Sequence, residues 1–388
     1  MTATSFSLWA PFVVAALVTA IVTPLSIFIA PKIGAMDVPK DRRRVHNKPM
    51  PRFGGIALYA GIMIGLAIFA HGRMHVDAIM VGCTLTYLLG AVDDIRGMKP
   101  IIKFAGQVVC ATVVFAMGLR VEFVTNWFGE GHMNLGIAAC YFITVIWLVG
   151  ITNAVNLVDG LDGLAAGISA ISALSIAYVS YIHGWYFPTT CMMILAGACI
   201  GFLPFNFHPA KTFMGDGGSQ LLGFSLAALS ILGTVKSATL FVVVIPALVL
   251  GLPIFDTLMA IIRRTLRHQS IGTADKEHLH HRILRAGFGQ RRAVLLMYSL
   301  SGIMGIVAIL YSRDLFIECL GLAFVAALIL GVILTDTGTN KVSLKGYRIL
   351  KELPDAPVTK TEQKAVNIAE EEAAEAEAKA AEQANRKE

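Results

Sequence analysis

The stretch Asn134–Ile182, NLGIAACYFITVIWLVGITNAVNLVDGLDGLAAGISAISALSIAYVSYI, decides the architecture of this chain. Its two apolar runs, residues 134–152 and 163–182, match the roughly 17–25 residues that a helix needs to cross a bilayer. The short connection between them carries Asn153, Asn156, Asp159 and Asp162. A three-residue spacing lines one face of a helix with polar groups. Charge at the edge of hydrocarbon is costly unless it is paired, hydrated or bound to metal, so such a segment marks a site.

Working outward, similar runs recur at 8–30, 54–71, 76–92, 102–119, 189–206, 218–233, 238–262, 293–312 and 315–334. The expectation is an all-α, polytopic integral membrane protein with about eleven transmembrane helices. Composition agrees: 56% of residues are hydrophobic and 15% charged, against about a quarter charged in a soluble domain. A soluble fold around a single core is excluded. The run Leu8–Ala30 lacks a basic leader and a small-residue cleavage site, and reads as a retained helix. Residues 1–335 are expected to form the membrane domain. Residues 336–388 form a basic juxtamembrane stretch and a tail of Ala, Glu and Lys with little to bury. The six cysteines show no CxxC or zinc spacing and read as packing residues.

Charge gives an orientation. The connections 32–52, 93–103, 207–217 and 263–292 are rich in Lys and Arg, whereas the opposite set holds only Arg73, Arg120, Lys236 and Arg313. Basic loops face the cytoplasm, which puts the N-terminus outside and the C-terminus inside. The net charge of +6 is therefore topological. No basic stretch has the interleaved aromatics that stack bases, so no nucleic acid is expected.

On that topology three acidic segments emerge on the cytoplasmic side: Asp93–Asp94 in GAVDDIRGMKP, the Asn153–Asp162 run, and Asp216 in FMGDGGS. Carboxylates gathered on one face repel unless a cation sits among them. Magnesium, with manganese as the alternative, suits hard oxygen donors and substrate phosphates. Glycines in the same segments allow turns that present N–H groups to an anion. The loop Arg263–Arg292 contains His278-Leu279-His280-His281-Arg282, denser in cationic and hydrogen-bonding groups than orientation requires. It reads as a cationic clamp for a diphosphate or sugar. In the first basic loop, Lys48 and Arg52 lie nearest the second run, and Lys103 starts the fourth; these suit an anionic lipid head group. Asp256, inside the ninth run, has no assigned role.

Together the Asp-Asp pair, Asn-x-x-Asn-x-x-Asp-Gly-x-Asp-Gly, Gly-Asp-x-Gly-Ser and His-x-His-His resemble the polyprenyl-phosphate N-acetylhexosamine-1-phosphate transferases over residues 10–335. The likeness is greatest to the bacterial enzymes that use UDP-N-acetylglucosamine and undecaprenyl phosphate. The sister enzyme that transfers phospho-muramoyl-pentapeptide typically has three consecutive histidines, where this chain has His278-Leu279-His280-His281. Gly97 also stands where many members have a further Asp. The resemblance implies a Mg-dependent enzyme of the bacterial plasma membrane, active at its cytoplasmic face and starting a surface polymer such as wall teichoic acid or O-antigen. It implies catalytic roles for Asp93, Asp94 and Asp216, and metal ligation by Asn156, Asp216 and Asp94. Asn153, Asp159, Asp162, His278, His280, His281 and Arg282 would bind the nucleotide sugar. Lys48, Arg52 and Lys103 would bind the lipid phosphate. The partners implied are undecaprenyl phosphate, a UDP-sugar and the bilayer, with a homodimer allowed. A transporter or flippase is the alternative from another class, but its ion sites would lie nearer the bilayer midplane.

Overall fold

The computed structural model describes residues 3–37, 49–125, 132–232, 246–266, 278–285 and 287–336. Its helices are α1 (Ala3–Ile29), α2 (Gly55–Phe69), α3 (Val76–Arg96), α4 (Pro100–Ala116), α5 (Ile137–Val158) and α6 (Leu164–Ile182). They continue as α7 (Tyr186–Asn206), α8 (Gly215–Leu232), α9 (Gly251–Leu266), α10 (Leu279–Arg285), α11 (Gln290–Tyr311) and α12 (Phe316–Asp336). Among the described residues six helices are long and apolar enough to cross a membrane: α1 from Leu8, α3, α5, α6, α7 and α11. Helices α2 and α4 and residues 316–329 of α12 are shorter apolar segments. The chain is a multi-pass, mostly helical membrane protein.

Helix α8 is the axis of the bundle. Every residue in it except Asp216 is buried, as expected of a helix that is apolar all round. It packs against α3, α5 and α2, while α7 lies between α1 and α6. The outer helices turn apolar side chains outward: Trp9, Leu17, Ile21 and Phe28 on α1, and Ile317, Leu320 and Phe324 on α12, are exposed. That inversion of the soluble pattern is what lipid-facing helices require. Buried hydroxyls inside the bundle bond back to their own helix, as Thr23 does to the Thr19 carbonyl and Thr152 to that of Leu148.

Two small antiparallel ribbons correct the all-α expectation. Strand β1 (Met36–Asp37) pairs with β2 (Met50–Pro51), and β3 (Phe123–Thr125) with β4 (His132–Asn134). The first ribbon bears on the site. The Arg52 N–H donates to the Ala35 carbonyl, and the Phe213 N–H to that of Pro51. The N–H groups of Gly54 and Gly55 donate to the carbonyls of Phe213 and Met214. The segment after β2 is thus stitched to the segment that leads into α8, and Arg52 is held beside Asp216.

Helix boundaries also move the acidic run. Asn153 and Asn156 are not in a loop; they lie in the last turns of α5, which ends at Val158 with Asp159 as its cap. Asp162 falls in the following turn, which Gly163 closes at φ 79° to start α6. The four polar residues therefore do not share one helical face.

Candidate active site

Three chain segments converge at one end of the bundle. Asp93 and Asp94 stand near the end of α3, Asn156 near the end of α5, and Asp216 in the first turn of α8. The ends meet because the backbones can touch. A Cβ on Gly90 would lie 2.5 Å from the Asp216 carbonyl oxygen. Gly215 sits at φ 71°, and a Cβ there would strike the Asp94 carboxylate.

Two cations bind the carboxylates together. Arg52 Nε lies 3.0 Å from Asp94 Oδ1 and its Nη2 3.3 Å from Asp216 Oδ2. Lys103, in the first turn of α4, places Nζ 3.0 Å from Asp93 Oδ2 and 3.3 Å from both Asp216 Oδ2 and Asn156 Oδ1. Asn156 Nδ2 donates to Asp216 Oδ1 (2.9 Å) and to Ser219 Oγ (2.7 Å). Asp216 is the hub. A cleft lined by Ala35, Arg52, Phe53, Tyr87, Asp94 and Met214 opens beside it.

The two aspartates of the pair have different surroundings. Asp93 Oδ1 accepts the Met98 N–H at 2.6 Å, which fixes the turn from α3 to α4. Asp94 receives the N–H groups of Asp216 (2.8 Å) and Gly217 (2.9 Å) on its two oxygens. A carboxylate there satisfies two orphan donors of α8 and complements the helix dipole. Asp94, expected among the metal ligands, thus also anchors the start of α8 in this structure, with Arg52 on its Oδ1.

Charge in the cluster is unbalanced. Burial opposes the Arg52 charge, but Asp94, Asp216, Asp159 and Asp93 outweigh it and hold the guanidinium pKa above its usual value. Against these four carboxylates stand Arg52 and Lys103. Asp159 shows the surplus: desolvation, reinforced by the charges of Asp216 and Asp94, pushes its carboxyl up to about 7 despite Arg52.

The remaining expected site residues divide. Asn153 Nδ2 donates to Gln107 Oε1 (2.6 Å), and Gln107 Nε2 donates to Gln220 Oε1 (2.9 Å). This amide chain ties α5, α4 and α8 below the cluster. Asp162 Oδ2 accepts the Ala210 N–H (3.1 Å) and lies 2.8 Å from His208 Nδ1, which makes it a tether for the segment after α7. Lys48 lies outside the described residues. Arg282 sits in α10, its N–H donating to the His278 carbonyl.

The histidines form a stack against the acidic turn. The rings of His278 and His280 are 5.8 Å apart and nearly parallel, and His281 stands 4.3 Å from His280. A Cβ on Gly160 would collide with His280 Nε2, so the loop packs directly on the turn after Asp159. Burial, aided by His281, holds the His280 pKa down near 3. That shift disfavours a charge on His280 in this state.

Sequence reasoning missed Gln107, Gln220, Ser219 and His208. Gln107 and Gln220 carried a signal as amides inside apolar helices, where polar groups are expensive. Asp256 carried one too: its Oδ2 lies 3.0 Å from His278 Nδ1.

Comparison with known proteins places these segments in a family. The model of glycosyl transferase family 4 matches residues 76–234, which include the Asp-Asp pair, the Asn153–Asp162 run and Asp216. A probable undecaprenyl-phosphate N-acetylglucosaminyl 1-phosphate transferase of Bacillus subtilis (strain 168) is 42% identical over 87% of this chain and 94% of its own length. A decaprenyl-phosphate N-acetylglucosaminephosphotransferase of Mycolicibacterium smegmatis is 36% identical over 82% of this chain and 86% of its own. An undecaprenyl-phosphate alpha-N-acetylglucosaminyl 1-phosphate transferase of Escherichia coli (strain K12) is 29% identical over 74% and 80%. The chain belongs to glycosyl transferase family 4, with the polyprenyl-phosphate N-acetylhexosamine-1-phosphate transferases.

Proposed function

We propose that the protein transfers N-acetylglucosamine-1-phosphate from UDP-N-acetylglucosamine to undecaprenyl phosphate, releasing UMP, as the first membrane step of a cell-surface polymer. The observation that carries this reading is the hub at Asp216, where Arg52, Lys103 and Asn156 meet one carboxylate at a membrane-helix end. The sugar is taken from the names of the relatives.

The donor set fits magnesium. Asp216 and Asn156 offer hard oxygens, and the carboxylates outnumber Arg52 and Lys103 around them. Among the described residues no three His, Cys, Asp or Glu close around one point. Magnesium is commonly held through one or two carboxylates and completed by substrate phosphates. Asp216 and Asn156 would hold it. When bound, it neutralises charge on the diphosphate and on the departing UMP.

The chain's own residues position the reactants. Arg52, at the cleft, and Lys103 pair with the lipid phosphate once substrate draws them from the carboxylates. Asp93, paired to Lys103, orients that phosphate and accepts its residual proton. An oxygen of the lipid phosphate attacks the β-phosphorus of the nucleotide sugar. A new P–O bond forms as the bond to the bridging oxygen breaks, and the electron pair leaves with UMP. Asp159, on the turn beneath the histidine stack, faces the nucleotide side. We place eleven spans, with the N-terminus outside and the site at the cytoplasmic face of a bacterial plasma membrane.

The test is UMP release from purified protein given UDP-N-acetylglucosamine, undecaprenyl phosphate and Mg²⁺, with the muramoyl-pentapeptide nucleotide in parallel. Release with the first donor alone supports the reading. Release with neither overturns it.

A further inference from the structure

Asp256 lies on α9, far in sequence from every acidic motif, yet it is 3% exposed. A buried carboxylate is expensive unless its oxygens are satisfied. Both are: Oδ1 accepts the Leu279 N–H at 2.9 Å, and Oδ2 lies 3.0 Å from Nδ1 of His278, itself 5% exposed. Since a carboxylate only accepts, His278 Nδ1 must carry the hydrogen. Nε2 is the ring nitrogen left for a ligand. His278 is in turn stacked on His280, whose ring meets Gly160 on the turn that follows Asp159. Among the described residues His280 Nδ1 is buried without a hydrogen-bond partner.

We propose that Asp256 is a positioning residue for the donor subsite: it fixes the tautomer and tilt of His278, leaving Nε2 to accept from a hydroxyl of the donor sugar, and thereby seats the histidine stack on the Gly160 turn. The arrangement follows the logic by which a ligand-binding histidine is oriented through its other nitrogen, a contact whose loss typically costs about 10–100-fold. It rests on the transferase reading for the identity of the ligand, but not for the Asp256–His278 coupling.

The decisive variant is Asp256→Asn in the full chain. Its amide oxygen can still accept the Leu279 N–H, while its NH₂ faces His278 Nδ1 and drives the ring hydrogen to Nε2. Retained geometry with the wrong tautomer is known to disable a histidine. We expect kcat/KM for UDP-N-acetylglucosamine to fall about 10–100-fold, with KM for undecaprenyl phosphate and the melting temperature unchanged. His278→Ala should give a similar loss, and the double variant no more than either alone. Spectra of ¹⁵N-histidine-labelled protein should show one imidazole exchanging its protonated nitrogen in Asp256→Asn. Multiplying losses in the double variant, or an unchanged tautomer, would overturn the proposal. If the tautomer moves but the wild type releases no UMP, the transferase reading fails and the Asp256–His278 coupling stands.

Discussion

At the scale of single residues, Asp216 concentrates the site's chemistry because Arg52, Lys103 and Asn156 all converge on it. Asp216→Asn keeps the shape and removes the charge. Turnover should fall by about 10²–10³-fold or more, as for the loss of a group that stabilises developing charge, with membrane insertion unchanged on fractionation. Asp159 gives a pH signature. Its folded pKa of about 7 lies above the usual carboxylate value, so the proton is favoured by the folded state. The stability it contributes is complete below about pH 4 and is lost as pH rises through about 7. In EDTA the melting temperature should therefore decline across that window, and Asp159→Asn should flatten the slope. The convergence of Asp93, Asp94, Asn156 and Asp216 was legible from the order and spacing of their motifs. What each carboxylate does was not. Asp94 caps a helix that starts at Gly215, and Asp162 tethers His208, because the partners lie far along the chain.

At the scale of elements, the site depends on how closely α3 and α8 approach. Gly90 is the contact point, and a methyl group there must displace the Asp216 backbone. Gly90→Ala should cost about 1–3 kcal/mol of stability through overpacking and should cut turnover more than the same substitution at Gly136, where nothing lies within 4 Å. Thermal melts and UMP release on both variants check this. The apolar runs were readable as helices from composition. Their ends were not, because the polar residues that suggested a loop at 153–156 are satisfied within the bundle. Asn153 bonds to Gln107 and Asn156 to Asp216 and Ser219, so α5 continues two turns beyond the apolar run.

For the whole molecule, the proposed function has metal and substrate complete the charge balance left by the carboxylate surplus over Arg52 and Lys103. Removing divalent ions with EDTA should abolish UMP release, and Mg²⁺ should restore it; activity that persists in EDTA would remove the metal from the proposal. The sequence by itself determined that this is a multi-helix membrane protein and which segments carry its chemistry, since hydrophobic length and motif order are local properties of the chain. Only the tertiary structure decided which carboxylate is hub, cap or tether, that burial disfavours a charge on His280, and that Asp256 lies against His278. Those roles depend on distance and burial, which are set by packing between segments as far apart as Arg52 and Asp216.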